Sequence, residues 1–382
     1  EKAKEKSFGR ELIDAIDMSK KLISDSVKLQ MISDVPIGSF LSGGIDSSLI
    51  TSIMQSHSAS PIRTFSIGSK EKNYDEAHQA KKIAQHLGTN HTELYLSNSQ
   101  IAETVYNLPE VYDEPFADSS QIPTILVSSL ASEYVKVSLS GDGGDELFGG
   151  YNRYLYGKNI IHMPQSVKRF LLKLITSLPK KSYHFINNFL IIAPYFSPYS
   201  NIENKIQKLE SALLSESEVE LYQNFVRTWR KDLPLNDEMS NYETIFNEEV
   251  NWSHDVSIAQ NMMNSDLKTY LPDDILVKLD RASMSNSLEA RVPFLDHELI
   301  EFSLNLPTSM KIQRNKGKYI LRKILTDYLP DDLIENKKKG FSIPMDILLK
   351  KNLREWSEDL LSRENLERSG LFNVNKVKMI WN

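Results

Sequence analysis

Cysteine is absent from this chain of 382 residues. Its absence excludes disulfides, thiolate metal sites and a cysteine nucleophile within these residues. Long apolar runs are missing as well: residues 189–193 form a short one that Pro194 ends, whereas a membrane-spanning helix needs about 20 apolar residues. The sequence shows no secretory signal pattern. We therefore expect a cytoplasmic protein that does not enter a membrane.

A large excess of one charge is also missing. The net charge is −6, from 45 basic and 51 acidic residues, which predicts no nucleic-acid-binding surface. The length predicts two or three compact units of about 150 residues each. The first residue is Glu1, and the helical pattern of Val374, Val377 and Ile380 continues to the last residues without a stop signal. We therefore expect the chain to be part of a longer polypeptide.

Strand-like and helix-like segments alternate through the first 150 residues. Strand patterns cover residues 35–41, 62–68, 91–96 and 135–140, and helical patterns cover residues 1–33, 75–87, 122–134 and a segment from Ser97. The alternation predicts an α/β fold, with a mostly parallel sheet and helices on both faces. We predict that residues 1–150 form this core, 151–265 a helical insertion, and 266–382 a largely helical C-terminal part that folds back on the core.

A glycine loop follows the first predicted strand, where residues 40–48 read FLSGGIDSS. Glycines let backbone N–H groups turn inward, and the start of the next helix adds partial positive charge, so the segment can form a socket for phosphate. It is not a Walker loop, because no Gly-Lys-Ser/Thr follows the glycines. The alternative is a turn that serves only the fold. The six matching positions favour the pyrophosphate loop of ATP pyrophosphatases, which this segment resembles.

A second glycine loop follows the fourth predicted strand, where residues 139–151 read LSGDGGDELFGGY. Its three carboxylates would repel one another at neutral pH, and a cation would relieve that repulsion. Mg²⁺ prefers one or two carboxylates together with phosphate oxygens. A solvated acidic turn or a calcium loop is the alternative, although the EF-hand spacing is absent. Ligands bind at the carboxyl ends of parallel strands, where both loops are expected to lie.

Five segments in order carry a resemblance that covers essentially the whole chain: residues 41–48, 64–68, 140–151, 280–296 and 317–322. Together they resemble the synthetase domain of the glutamine-dependent asparagine synthetase family, which includes β-lactam synthetases. The resemblance implies an adenine nucleotide alpha-hydrolase-like core. It also implies ATP as a substrate, Mg²⁺ as a cofactor and a C-terminal part that completes the synthetase site.

The resemblance also implies roles for individual residues. The residues that would bind ATP and its pyrophosphate are Leu41, Ser42, Gly43, Gly44, Asp46, Ser47, Ser48, Ile67, Ser140 and Gly141. Asp46 and Asp145 would share Mg²⁺. Lys318 would be catalytic and would stabilise charge on the α-phosphate and the leaving pyrophosphate; the alternative is a surface lysine. Asp142 would also be catalytic, although the best-known members have Glu there.

Three arginines outside the glycine loops are considered separately. Arg281 and Arg322 are candidates for secondary phosphate or carboxylate clamps, or for salt bridges with Asp280 or Asp327. Arg291 is expected to pair with Glu289, outside the catalytic set. The region around Asp118 is where the family binds its acceptor, yet this chain has no arginine between positions 63 and 153.

The implied reaction is ATP-dependent amidation of a carboxylate through an acyl-adenylate, with AMP and pyrophosphate as products. The leading hypothesis is conversion of aspartate to asparagine. Ammonia would come from glutamine through an N-terminal glutaminase domain, which uses a cysteine nucleophile and would precede Glu1 in the parent protein. A homodimer is left open.

Two alternatives remain at the level of sequence. The Asp142 departure and the missing arginine near Asp118 motivate an amidotransferase that acts on another carboxylate, such as a sugar acid of a surface polysaccharide. A catalytically silent nucleotide-binding module is the other alternative. It would be favoured by loss of the loop serines, Asp145 or Lys318, and all of these are present.

Overall fold

The structure is a computed structural model that describes residues 11–69, 77–177, 202–227, 233–236, 252–334 and 345–381. Five parallel strands form one sheet in the order β3-β2-β1-β4-β5. Their bounds are β1 Ile37–Phe40, β2 Arg63–Ser69, β3 Asn90–Leu96, β4 Val137–Leu139 and β5 Glu289–Arg291. The predicted parallel sheet is confirmed. The sequence prediction did not include β5, which has only three residues.

Helices cover the sheet and extend beyond it. In the first part of the chain they are α1 Leu12–Gln30, α2 Ile45–His57, α3 Ala77–Leu87, α4 Asn98–Tyr112, α5 Gln121–Ser132, α6 Gly144–Phe148, α7 Asn152–Ile161 and α8 Gln165–Ser177. Next come α9 Ile202–Leu214, α10 Glu218–Val226, α11 Ile258–Lys268, a π-helix at Leu271–Leu276 and α12 Val277–Met284. The remaining elements are a 3₁₀ turn at Pro293–Leu295, α13 His297–Leu304, α14 Thr308–Lys311, α15 Tyr319–Leu325, α16 Asp331–Ile334, α17 Met345–Lys350, α18 Arg354–Leu360, α19 Arg363–Ser369 and α20 Val374–Trp381.

Two apolar clusters account for the layers. One joins side chains of β4 to α1, α2 and α15, with Ile23, Ile50 and Leu321 fully buried. The other joins β2 and β3 to α4, α5 and α17, with Phe65 and Ile122 almost fully buried. Parallel strands need apolar cover on both faces, and the two clusters supply it. The predicted α/β class with helices on both faces is confirmed.

Local sequence signals place several boundaries. Ser97 caps α4, since its hydroxyl accepts a hydrogen bond from the Gln100 backbone nitrogen. The Gln100 side-chain oxygen in turn accepts from the Ser97 backbone nitrogen, which completes a capping box. The helix expected from residue 75 begins at Ala77 in the described part, and residues 75–76 lie outside it. Stretches of the predicted helical insertion (178–201, 228–232 and 237–251) also lie outside the described residues. The division into three parts stays a prediction.

None of the described helices combines the length and the apolar character that crossing a lipid bilayer requires.

Candidate active site

A cleft of about 450 Å³ opens where β1 and β4 end. Both glycine loops and several later segments contribute to its walls. The lining side chains and glycines are Phe40, Ser42, Asp46, Ser47, Asp118, Ser119, Ser120, Thr124, Val127, Ser140, Gly141, Asp142, Gly143, Asp145, Glu146, Tyr151, Tyr270, Ile275, Lys278 and Leu279. The position agrees with the rule that parallel sheets bind ligands at the carboxyl ends of their strands.

The first glycine loop is held in shape by its own serines. Ser47 Oγ accepts from the Ser42 backbone nitrogen at 3.2 Å and lies 2.9 Å from Ser42 Oγ, while Ser42 Oγ accepts from the Gly44 nitrogen at 3.3 Å. Gly43 has φ +79°, a conformation that glycine adopts without strain. The loop delivers the chain to the N-terminus of α2, where partial positive charge favours an anion.

The second loop packs directly against the first. A Cβ at Gly141 would lie 2.6 Å from the Ser47 backbone nitrogen, and one at Gly144 would lie 2.6 Å from Asp46 Oδ1. Only glycine permits so close an approach. The loop also fixes a carboxylate within itself, because Ser140 Oγ donates to Asp142 Oδ2 at 2.6 Å. The two loops that are about 100 residues apart in sequence therefore form one surface.

Lys318 joins the two loops from a third part of the chain. It precedes α15 with φ 57°, and its backbone nitrogen donates to the Phe148 carbonyl at 3.0 Å. Its Nζ contacts Asp46 Oδ2 and lies 2.6 Å from Asp145 Oδ1, and the residue is 5% exposed. A surface lysine is therefore the wrong interpretation for Lys318. The structure brings the two predicted magnesium ligands and the predicted catalytic lysine together.

Asp46 and Asp145 could bind a magnesium ion only if phosphate oxygens of a substrate supplied further ligands. Within the described residues, no group of three or more His, Asp or Glu side chains could hold a metal by itself. Two carboxylates gathered around one ammonium nevertheless match the usual protein share of a magnesium–phosphate site, in which substrate oxygens supply the rest.

The remaining predicted nucleotide residues lie beneath or beside the cleft. Leu41 and Ile67 are buried at the ends of β1 and β2, at 1% and 5% exposure. Ser48 is buried in the first turn of α2. Contact between these side chains and adenosine stays a prediction.

The cleft lining also carries a cation that the sequence analysis missed. Lys278 Nζ lies 2.6 Å from Asp118 Oδ2, and Ser120 donates to Asp118 through both its backbone nitrogen and its hydroxyl. Burial alone would raise the pKa of Asp118, but the Lys278 charge and these hydrogen bonds outweigh it and lower the pKa. The family resemblance suggests an arginine close to Asp118 in sequence, whereas Lys278 lies 160 residues away.

Two acidic groups have raised pKa values: Glu146, which lines the cleft, and Asp274, which directly precedes a lining residue in sequence. Burial, reinforced by the Asp145 charge, raises the pKa of Glu146 to about 7. Burial, reinforced by Asp118, raises the pKa of Asp274 to about 6. The sequence had given Glu146 no role beyond its negative charge, and no local signal marks the burial that sets it apart from Asp142.

The other charged candidates lie outside the cleft. Arg281 pairs with Asp113 at 2.6 Å, and Arg322 Nε donates to the Gly317 carbonyl at 3.1 Å. The carboxylate of Asp327 pairs with Lys20 instead. Neither arginine is among the described residues that line the cleft. The predicted pairing of Arg291 with Glu289 is confirmed at 2.7 Å.

Comparison with known proteins identifies the family of the chain. The family described as "Asparagine synthase" matches residues 18–382. The chain belongs to the asparagine synthase family. This match spans the five-stranded sheet, both glycine loops and Lys318, so the resemblance in the sequence is confirmed.

Several curated relatives share this region. Asparagine synthetase [glutamine-hydrolyzing] 1 of Bacillus subtilis is 31% identical over 90% of this chain and 52% of its own length. Asparagine synthetase [glutamine-hydrolyzing] 3 of the same organism is 27% identical over 92% of this chain and 52% of its own length. Amidase chyE of Penicillium rubens is 23% identical over 94% of this chain and 57% of its own length. The chain thus spans about half the length of these relatives.

Proposed function

We propose that the chain carries the synthetase activity of an amidating ligase, which activates a carboxylate with ATP and transfers ammonia to it. The observation that carries the proposal is the contact of Lys318 with both Asp46 and Asp145, at the point where the two glycine loops meet. Because the Lys318 ammonium already binds two anionic groups, a phosphate of ATP could replace one of these carboxylates as its partner. Family membership supports the same reaction class.

We call the part of the cleft around the first glycine loop and Lys318 the phosphate end, and we propose that it stabilises negative charge. Backbone N–H groups of the first loop and the start of α2 would bind the pyrophosphate, and Lys318 would neutralise charge that develops on it as it leaves. Mg²⁺, when bound, would neutralise further phosphate charge, with Asp46 and Asp145 as its protein ligands. Fixed charges aimed at developing charge are usually the largest contribution to catalysis.

We call the part of the cleft around Asp118 and Lys278 the acceptor end, and we propose that the reacting carboxylate binds there. The Lys278 ammonium would hold an acceptor carboxylate near Asp142. A carboxylate oxygen then attacks the α-phosphorus, the bond to pyrophosphate breaks, and an acyl-adenylate forms. Ammonia attacks the acyl carbon next, AMP leaves with the electron pair of the broken C–O bond, and the ammonia nitrogen loses a proton. Asp142, which is fixed by Ser140, lies on the cleft wall, and we propose that it acts on the reacting carboxylate there.

Aspartate is the acceptor that we propose, with glutamine as the ammonia source. The printed names of the Bacillus subtilis relatives describe glutamine-hydrolysing asparagine synthetases. Lys278 also supplies a cation beside Asp118, where the missing arginine was one of the two reasons for considering a sugar acid; the other, Asp142 in place of Glu, is unchanged. Since the chain contains no cysteine, a glutaminase domain elsewhere in the parent protein would release the ammonia.

The test is carboxylate-dependent exchange of labelled pyrophosphate into ATP, followed by AMP release with ammonium. Aspartate and a panel of uronic acids serve as acceptors, and Lys318→Met is the matched inactive variant. We expect exchange with aspartate and one AMP per amide formed. Exchange with a uronic acid but not with aspartate would identify the other acceptor class, and no exchange with any carboxylate would leave a silent nucleotide-binding module.

A further inference from the structure

The guanidinium of Arg153 contacts two tyrosines of the cleft wall without lining the cleft itself. Arg153, at the start of α7, donates from Nε to Asp266 Oδ2 at 2.8 Å. Asp266 has no exposed surface, and it also accepts from the hydroxyls of Tyr154 and Tyr222. Burial opposes the charge of Arg153, yet Asp266 and Tyr154 outweigh it and raise its pKa. The cation is therefore permanent and fixed in place.

Two aromatic rings of the cleft lie against this cation. The Arg153 Cζ atom lies 4.1 Å from the ring centroid of Tyr151 and 5.1 Å from that of Tyr270. The two rings meet edge to face, with centroids 5.7 Å apart and planes at 76°. Both distances from the cation are within the range of cation–π attraction, which is stronger for a desolvated cation. Tyr151 and Tyr270 both line the cleft, whereas Arg153 does not.

Tyr151 and Tyr270 differ in the acidic groups around their hydroxyls. Tyr151 donates its hydroxyl to Glu146 Oε1 at 2.7 Å, beside the Asp145 that Lys318 contacts. Tyr270 lines the same cleft as Asp118 and Lys278, and burial first, then the charges of Asp274 and Asp118, raises the pKa of its hydroxyl. The two rings therefore form part of one wall of a cleft that also holds Glu146, Asp118 and Lys278.

We propose that Arg153 is a positioning residue for the acceptor: its guanidinium fixes the rings of Tyr151 and Tyr270, which form the wall against which the acceptor is held. The proposal rests on the proposed function, since it assigns the acceptor to the Asp118–Lys278 end. A buried ion pair is a weak source of stability, because desolvation offsets much of its attraction. Orientation of the rings is what the planar cation supplies and an apolar residue could not.

Lysine cannot replace arginine in this arrangement. A guanidinium can stack on aromatic faces and donate to a carboxylate from its edge at the same time, whereas an ammonium is a compact, strongly hydrated point charge. Arg153→Lys therefore keeps the charge and loses the stacking. Arg63 offers a matched control, since its guanidinium also stacks on a tyrosine, Tyr134 at 5.1 Å, outside the cleft lining.

The first measurement is steady-state kinetics of Arg153→Lys, Tyr151→Phe and Arg63→Lys. We expect Arg153→Lys to raise the KM for the acceptor about tenfold, from the loss of cation–π contacts, with the KM for ATP unchanged. Tyr151→Phe keeps the ring and loses the bond to Glu146, so a smaller rise in the same KM is expected. Equal changes in both KM values, or the same change in Arg63→Lys, would overturn the positioning role.

The second measurement does not depend on activity. Crystal structures of the unsubstituted protein and of Arg153→Lys would show whether Tyr151 leaves Glu146 and whether the two rings separate. Unmoved rings would overturn the proposal whatever the kinetics. If no acceptor supports exchange in the unsubstituted protein, the proposed function fails, and displaced rings would still support Arg153 as the residue that positions this wall.

Discussion

Lys318 makes three contacts that together define its environment: two carboxylates at its ammonium and the Phe148 carbonyl at its backbone nitrogen. Its left-handed backbone conformation, φ 57°, directs the chain from Gly317 into α15. Such a conformation is uncommon for residues other than glycine. The backbone thus fixes where the side chain starts, and the two carboxylates hold its ammonium.

Replacing Lys318 by methionine removes the ammonium and keeps the length of the side chain. We expect pyrophosphate exchange to fall by about 10²–10³-fold, the usual cost of removing one group that stabilises developing charge. Asp46 and Asp145 would also repel each other without it. Lys323→Met, an exposed lysine on the same helix, is the control. Exchange at the unsubstituted rate in Lys318→Met would contradict the proposed role.

Lys278 supplies beside Asp118 the positive charge that the family resemblance led us to expect from an arginine. The family resemblance suggested an arginine near Asp118, and its absence favoured a different acceptor. The structure places a lysine from α12 at 2.6 Å from Asp118, so the same charge arrives from a distant segment. Sequence proximity to Asp118 could not have identified Lys278, because only the packing of α12 against α5 brings it there.

Among the elements, the two glycine loops depend on each other for their shape. The nearest atoms to a Cβ at Gly141 would belong to the Ser47 and Asp46 backbone, at 2.6 Å and 2.8 Å. Backbone atoms at the start of α2 cannot move aside as a flexible side chain could. The second loop therefore supports the first one from beneath.

The Gly141→Ala variant tests this support. We expect it to weaken binding of MgATP, measured by calorimetry, and to destabilise the fold by about 1–3 kcal/mol, the range for overpacking. Gly88→Ala is the control, since Gly88 has φ +71° but nothing within 4 Å. It should cost about 1–2 kcal/mol of backbone strain and leave MgATP binding intact. Equal nucleotide affinity in both variants would argue against contact between the loops.

Helices α7, α10 and α11 meet around one buried carboxylate. Asp266 in α11 accepts from Arg153 and Tyr154 in α7 and from Tyr222 in α10. Side-chain bonds to a charged group inside an apolar cluster are stronger than those in water. The carboxylate therefore fixes the mutual orientation of three helices as well as the wall of the cleft.

Asp266→Asn removes the charge and keeps the shape of the side chain. Since Arg153 would remain buried and lose its partner charge, we expect the free energy of unfolding in urea to fall by about 3–5 kcal/mol. Asp255→Asn, at an exposed position, should change it by less than about 1 kcal/mol. A similarly small loss in Asp266→Asn would show that the three hydroxyl and guanidinium donors tolerate a neutral acceptor.

At the scale of the whole molecule, the cleft lining includes residues from segments 42–47, 118–120, 140–151 and 270–279, and Lys318 from a fifth segment contacts two of its carboxylates. The parallel sheet makes this assembly possible, because every strand ends at the same edge. Charges gathered in this way also make the stability of the molecule depend on pH. Asp274 is the clearest example, as burial and Asp118 raise its pKa to about 6 from 3.8.

The direction in which stability changes with pH depends on which state, folded or unfolded, binds the Asp274 proton more tightly. Between pH 3.8 and about 6 the folded protein keeps a proton on Asp274 that the unfolded chain releases, so stability falls as pH rises through this window. In Asp274→Asn this contribution disappears. We expect the variant to gain stability relative to the unsubstituted protein between about pH 4 and about pH 7, in urea unfolding without nucleotide.

Asp273→Asn, at the exposed neighbouring position, is the control and should show no such gain. A difference between Asp274→Asn and the unsubstituted protein that stays constant over the same pH range would contradict the raised pKa of Asp274.

The sequence by itself determined the local parts of this protein. Strand and helix periodicity predicted the α/β class, and the glycine, hydroxyl and carboxylate pattern of both loops predicted where the cleft lies. These features depend on neighbours within a few residues, so a linear pattern records them. The short strand Glu289–Arg291 escaped prediction because three residues are too few to show a period.

Only the tertiary structure decided which distant groups meet. Lys318 reaches Asp46 across 272 residues, Lys278 reaches Asp118 across 160, and Arg153 reaches Asp266 across 113. Such contacts arise from the packing of apolar faces elsewhere in the chain, such as α15 on α2. Burial, which raises the pKa of Glu146 and of Asp274, is likewise a property of the assembled fold, because the desolvation of a carboxyl depends on every segment that covers it.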